Sequence, residues 1–83
     1  MKIRYFAWMR EHTGVSSEDM RLPDGIETVG QLADYLKHTS EGHSIALRNM
    51  KTVRVAINRQ YAQLDSTISD SDEVAFFPPV TGG

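Results

Sequence analysis

A helix start spelled out in full constrains this chain more than anything else in it. Thr28 and Gln31 stand three apart, the spacing at which a hydroxyl takes the third helical amide while the glutamine reaches back to the cap. Val29, Leu32, Ala33 and Leu36 then fall at i, i+3, i+4 and i+7, one apolar stripe. The spacing predicts a helix that fades near Thr39 and Ser40 and ends by Gly42 at the latest. That stripe needs a partner surface, and the remaining sequence offers mostly strands. Residues 2–9 alternate, with Ile3, Tyr5 and Ala7 on one face and Lys2, Arg4, Phe6 and Trp8 on the other. Residues 10–14 read as a short helical turn closed by Gly14, and 17–22 as a second strand ahead of a turn at Pro23-Asp24-Gly25. Residues 44–50 read as a shorter helical piece. Residues 53–57 are a β-branched strand, Asn58-Arg59-Gln60 turns it, and 61–64 return. Residues 65–72 form a polar turn region anchored by Ile68, and 73–77 are the last strand, with Val74 and Phe76 on one face and Phe77 on the other. Pro78-Pro79 stops it, because two residues without N–H cannot continue a ladder.

Eighty-three residues make one small domain. A chain this short buries only about 60 % of its unfolded surface, so its core must be economical. One main helix over one face of a mixed sheet of about five strands satisfies it: an α+β domain over residues 1–77, with 78–83 as a tail.

Composition then removes most chemistry. Nine Lys and Arg against eleven Asp and Glu leave a net charge of −2, so a nucleic-acid partner is not expected. The chain has no cysteine, which excludes disulfides, thiolate zinc sites and cysteine nucleophiles. No apolar run approaches the roughly 20 residues of a membrane span. Arg4 and Arg10 interrupt any signal-like start, so the cytoplasm is the expected location. No glycine loop that could cradle a phosphate is present, so no tightly bound cofactor is expected. His38 and His43 are five apart, off the spacing of one helix face, so they and His12 are expected to be solvent-exposed and no metal site is expected. Asp70, Asp72 and Glu73 read as a solvated turn, and Arg48, Lys51, Arg54 and Arg59 as a solvated face or partner contacts.

The end of the sequence, Pro78-Pro79-Val80-Thr81-Gly82-Gly83, admits two readings. One is a frayed terminus in which the glycines are incidental. The other is a semi-stiff arm: the prolines prefer an extended conformation, and six extended residues reach roughly 20 Å. Gly82 and Gly83 would pass a narrow channel, presenting a carboxylate with almost no bulk. Such a carboxylate becomes an electrophile once adenylated, so the chain would carry a group while a partner supplies the active site. Phe6 and Phe77 both lie opposite the expected core face. They read either as covered by a loop or as an exposed docking patch at the root of the tail, with Trp8 joining them or packing on the turn at Arg10.

The run from Asp72 to Gly83, with Phe76-Phe77-Pro78-Pro79 leading into Gly82-Gly83, resembles the C-terminus of the small, sulfur-carrier subunits of molybdopterin synthase. Tyr5-Phe6-Ala7 with Arg10-Glu11, and Val55 to Asn58, resemble that family's first and middle strands; Ser71 stands where the family often has glycine. The resemblance implies a ubiquitin-like β-grasp fold with a flexible Gly-Gly tail. It implies that a ubiquitin-activating-type enzyme uses ATP to adenylate Gly83, that a sulfur donor converts the adenylate to a thiocarboxylate, and that the tail enters the large synthase subunit. There its sulfur would attack a cyclic pyranopterin phosphate precursor, two carriers completing the dithiolene. Phe6, Phe77, Pro78, Pro79, Val80 and Thr81 become the expected partner contacts, and a heterotetramer of two small and two large subunits the expected assembly. Other outlets for the same tail are a modifier joined to lysines and a sulfur carrier for thiamine thiazole; a non-catalytic β-grasp binding module uses no tail chemistry at all.

Overall fold

The computed structural model describes residues 1–79. The elements run β1 (Lys2–Tyr5), α1 (Ala7–Thr13), β2 (Ser17–Asp19), α2 (Val29–Leu36), α3 (Glu41–Ala46), a 3₁₀ turn (Met50–Thr52), β3 (Arg54–Ile57), β4 (Gln60–Ala62) and β5 (Glu73–Phe77). The five strands form one mixed sheet in the order β2-β1-β5-β3-β4. β1 and β5 are parallel at its centre, with Ile3 opposite Val74 and Tyr5 opposite Phe76, and every other pairing is antiparallel.

Alternation sorts the sheet into two faces. Ile3, Tyr5, Val55, Val74 and Phe76 point inward and pack against Val29, Leu32, Ala33 and Leu36 of α2, with Met9, Ala46, Leu47 and Ile68 completing the core. The apolar stripe of α2 is thus wholly buried. Its start is the expected capping box: Thr28 Oγ1 accepts from the Gln31 N–H at 3.2 Å, and Gln31 Oε1 accepts from the Thr28 N–H at 3.1 Å. The next two amides of the helix reach a wrapping loop, Val29 N–H to Ser66 O and Gly30 N–H to Leu64 O. Residues 58 and 59 form a two-residue hairpin loop, both left-handed (φ 50° and 70°), which matches the twist of the flanking strands.

Three sequence expectations are corrected. The first strand does not run to residue 9. Phe6 N–H still bonds Phe76 O, but Ala7 is left-handed (φ 53°) and turns the chain into α1, so Trp8 and Met9 are helical and Met9 is fully buried. The helical turn expected at 10–14 is the second half of that helix, and Gly14 (φ 81°) closes it as a left-handed cap. The main helix, α2, does end before Gly42, as expected, but Gly42 is not what ends it. α2 ends at Leu36, and Ser40 starts α3 by accepting the His43 N–H at 3.0 Å, which leaves Gly42 inside α3 against the backbone of α1.

The third correction is His43, which is buried (7 % exposed). Ser40 Oγ sits 2.7 Å from Nδ1, and Glu18 Oε2 sits 2.5 Å from Nε2. Glu18 lies opposite Ile3 in the register and so points inward at the edge of the sheet, where its carboxylate also accepts from the Tyr5 hydroxyl at 2.7 Å. The Tyr5 ring stacks on Phe76 and meets His43 edge-on. Buried polar groups persist when each finds a partner, and here each does.

Burial, reinforced by the bond to Glu18, pushes the Tyr5 phenol well above the usual tyrosine range. The folded state therefore holds a proton that the unfolded chain gives up above about pH 10. The contribution is complete below that value and is lost as pH rises beyond it. Above pH 10 the wild-type stability should fall more steeply than that of Tyr5→Phe, by about 1.4 kcal/mol per pH unit. Urea melts of both proteins between about pH 8 and 11.5 measure this, and parallel curves would refute it.

Candidate functional site: the open sheet face at the root of the tail

Among the described residues no helix covers the outward face. β1 presents Lys2 and Arg4 there, β5 presents Glu73, Ala75 and Phe77, and β3 presents Arg54 and Ala56. Lys2 sits in register between Asp19 and Glu73, and Arg4 reaches Glu73 at 3.7 Å, so one end of this face is charged and internally compensated. The other end is apolar. Phe6, Ala75, Phe77, Pro78 and Pro79 line a shallow groove of about 460 Å³.

Each wall has a local cause. Phe6 is the residue where β1 has ended and α1 has not begun. Its backbone is extended, and the left-handed turn at Ala7 leaves its ring on the open face, 39 % exposed, with the Arg4 guanidinium 5.3 Å from its centre. Phe77 is the last residue of β5, outward because Phe76 before it is inward, and it is half-buried beside the ring of Tyr61 at 5.8 Å. Pro78 and Pro79 then leave the sheet half-buried. The loop-covered reading of Phe6 is thereby excluded, and the two phenylalanines share one groove.

Trp8 does not line that groove. It sits on α1, half-buried, against His12. Tyr61, 77 % exposed, is the aromatic the sequence reading gave no role; its signal was its outward phase in a short return strand. The expectations for Val80, Thr81, Gly82 and Gly83 lie outside the described residues.

The acidic corner opposite is a brace. Asp70 accepts from the Leu22 N–H at 2.7 Å with the Met1 amine nearby, and Asp72 accepts from the Ser69 N–H and the Asn58 amide. These hydrogen bonds hold both carboxyls below the usual aspartate range. Among the described residues no three metal-ligating side chains converge, and no helix is long and apolar enough to cross a membrane.

The described chain is thus a scaffold with an apolar groove at the end of its last strand. Comparison with known proteins gives that arrangement a context. The molybdopterin synthase sulfur carrier subunit of Haemophilus influenzae is 36 % identical over 83 residues, covering 100 % of this chain and 99 % of the relative. The subunit of the same name from Escherichia coli is 35 % identical with the same coverage. Among solved structures, SAMP1 from Haloferax volcanii superposes with a TM-score of 0.73 at 30 % identity, over 100 % of this chain and 98 % of that one. A putative molybdopterin converting factor, subunit 1, from Pyrococcus furiosus gives 0.69 at 28 %, over 95 % of each. The fold is accordingly the ubiquitin-like β-grasp, as the resemblance implied. The ThiS family matches residues 3–83, and with relatives of this similarity along the whole length, the chain belongs to the ThiS family.

Proposed function

We propose that this protein is the sulfur carrier of molybdopterin synthase, acting in the cytoplasm through the carboxylate of Gly83. The observation that carries the reading is full-length similarity to sulfur carrier subunits, joined to a Gly-Gly end two residues after Phe-Phe-Pro-Pro. In this reading a Gly83 carboxylate oxygen attacks the α-phosphate of ATP in an adenylating partner and pyrophosphate leaves. Sulfide from a donor then displaces AMP and leaves a thiocarboxylate. A thiocarboxylate is far more acidic than a thiol, so it is an anionic nucleophile at neutral pH without a helper base, and a chain lacking cysteine can carry sulfur this way. The tail then enters the large subunit, where sulfur attacks the pyranopterin precursor. The described domain contributes the groove at Phe6 and Phe77, which suits a partner gripping the root of the tail.

Intact mass after incubation with the cognate adenylating enzyme, ATP and a sulfur donor tests this. One sulfur-for-oxygen exchange is expected, and a chain that never forms an adenylate refutes it. The similarity to SAMP1, a protein named as a small archaeal modifier, supports a second reading in which the activated glycine passes to lysine amines. Conjugates on lysine in place of the thiocarboxylate would select it.

Phe77→Ala should weaken binding to the large subunit by about 2 kcal/mol or more, as central aromatic contacts do. Its effect on stability should stay near 1 kcal/mol, since the ring is only half-buried. Titration calorimetry and melting of the same variant separate the two, and equal losses would assign Phe77 to the core.

A further inference from the structure

The groove at the tail root has a neighbour. On the far side of Phe77 the strands β3 and β4 pair only from Val55 to Ile57, and before that point they part. The opening is a cleft of about 510 Å³ whose walls include Met50, Val53, Tyr61, Leu64 and Phe77. Tyr61 and Leu64 are 77 % and 49 % exposed, so three of the five large hydrophobic residues exposed among the described residues line this cleft or the groove beside it. One cation lines it, Arg54, directly opposite Phe77 in the register.

The Arg54 guanidinium is held but not neutralised. Nη1 donates to Lys51 O at 3.1 Å and Val53 O at 3.4 Å, which fixes the fork against the 3₁₀ turn. Among the described residues no carboxylate lies within ion-pair distance of it, and Nε and Nη2 have no hydrogen-bond partner. Arg4, the other arginine of this face, is paired with Glu73 and stacked on Phe6. Lys2, the remaining cation of this face, stands at its charged end between Asp19 and Glu73. Among the described residues Arg54 is therefore the cation of this face that lies beside the apolar cleft with no carboxylate at ion-pair distance, on a chain whose net charge is −2.

We propose that this cleft seats an acidic side chain of the partner protein, next to an apolar residue of the same partner, and that Arg54 selects it. The inference rests on the carrier reading above, because the partner that grips the tail root shares the Phe77 wall and its contact surface continues into the cleft. A planar fork with free donors matches a carboxylate in two parallel hydrogen bonds, and the apolar walls strengthen that pairing by excluding water. A nucleic-acid backbone is disfavoured, since one guanidinium on an acidic chain supplies too little positive charge.

Titration with the molybdopterin synthase large subunit of the same organism, at about 50 mM and about 500 mM salt, tests the assignment. Arg54→Glu should weaken binding about tenfold or more at low salt, and the deficit should shrink at high salt. Arg54→Gln, which removes the charge and shortens the side chain, should fall between, and Arg54→Lys, which keeps the charge but loses the two-pronged fork, should be weakened less than Arg54→Gln. Arg59→Glu, in the hairpin loop, controls for net charge and should also stay within about threefold. If Arg54→Glu binds like wild type at both salts while Phe77→Ala is weakened, the selective role of Arg54 is wrong and the carrier reading stands. A deficit independent of salt, with Arg54→Gln unaffected, also overturns it. Wild-type protein that does not bind the large subunit refutes the carrier reading, and this inference with it.

Discussion

Gly42→Ala is expected to lower the melting temperature by roughly 15 °C, corresponding to about 3 kcal/mol for a domain of this size. Position 42 lies in the first turn of α3, where alanine over glycine is neutral to stabilising by up to about 1 kcal/mol, so the expected sign is opposite to that of helix propensity. The reason is the approach of α1. A Cβ on residue 42 falls 2.0 Å from the carbonyl oxygen of His12, 3.0 Å from its carbonyl carbon and 3.4 Å from Thr13 Cα. Those are backbone atoms of a capped helix and cannot rotate aside, so α1 and α3 must separate. Separation loosens Met9 on one helix and His43 and Ala46 on the other, all of them buried. Gly30→Ala is the natural control. Its Cβ meets Leu64 O at 3.2 Å, a loop atom that can yield, and the propensity gain offsets the adjustment, so stability within about 1 kcal/mol of wild type is expected. Thermal melts of the two variants decide the matter. A Gly42→Ala protein melting within a few degrees of wild type would mean that α1 and α3 do not touch as described.

The same residue explains where the sequence misleads. α2 was legible because everything that specifies it is local: a cap, its box partner and a stripe, all within nine residues. β3 and β5 were legible because alternation with β-branched and aromatic residues is also local. Gly42 reads as a terminator unless another helix is known to press on it, and that helix, α1, contributes one buried residue, Met9, too few to show a period. The end of β1 is set by a left-handed alanine, which nothing in the residue type announces. His43 is buried because Glu18, 25 residues earlier and on another strand, turns inward to meet it. Spacing along one helix addresses metal ligation and is silent on such a contact.

The groove was partly legible for the same reason. Alternation placed Phe77 outward, and the parallel pairing of the last strand with the first, a feature of the β-grasp fold that the resemblance implied, brings Phe6 beside it. The cleft on the other side of Phe77 was not, because it depends on where β3 and β4 cease to pair. Arg54 looked like one member of a loose basic group; only the fold distinguishes it from Arg59, which sits in the hairpin loop.

A chain extended by one residue after Gly83, or shortened by that glycine, is expected to fold as wild type and to lose sulfur loading by at least roughly a hundredfold. Folding is expected to be spared because the buried residues of the last strand, Val74 and Phe76, precede the altered end by seven positions or more. Loading is lost because the proposed electrophile is a single carbonyl. One residue displaces it by roughly 3.3 Å along an extended chain, and a misplacement of about 1 Å already costs on the order of a hundredfold. An added residue also places a side chain where Gly82 and Gly83 present none. Intact mass after a timed reaction with adenylating enzyme, ATP and sulfur donor measures the loss, and a melt of the same sample confirms the fold. An extended protein that gains sulfur at the wild-type rate would show that the terminal carboxylate is not the reacting group. The groove at Phe6 and Phe77 would then have to be explained as a binding surface in its own right. Gly42 is required by the packing of the domain and Gly83, in the carrier reading, by chemistry in a partner, and melting and mass spectrometry tell the two requirements apart.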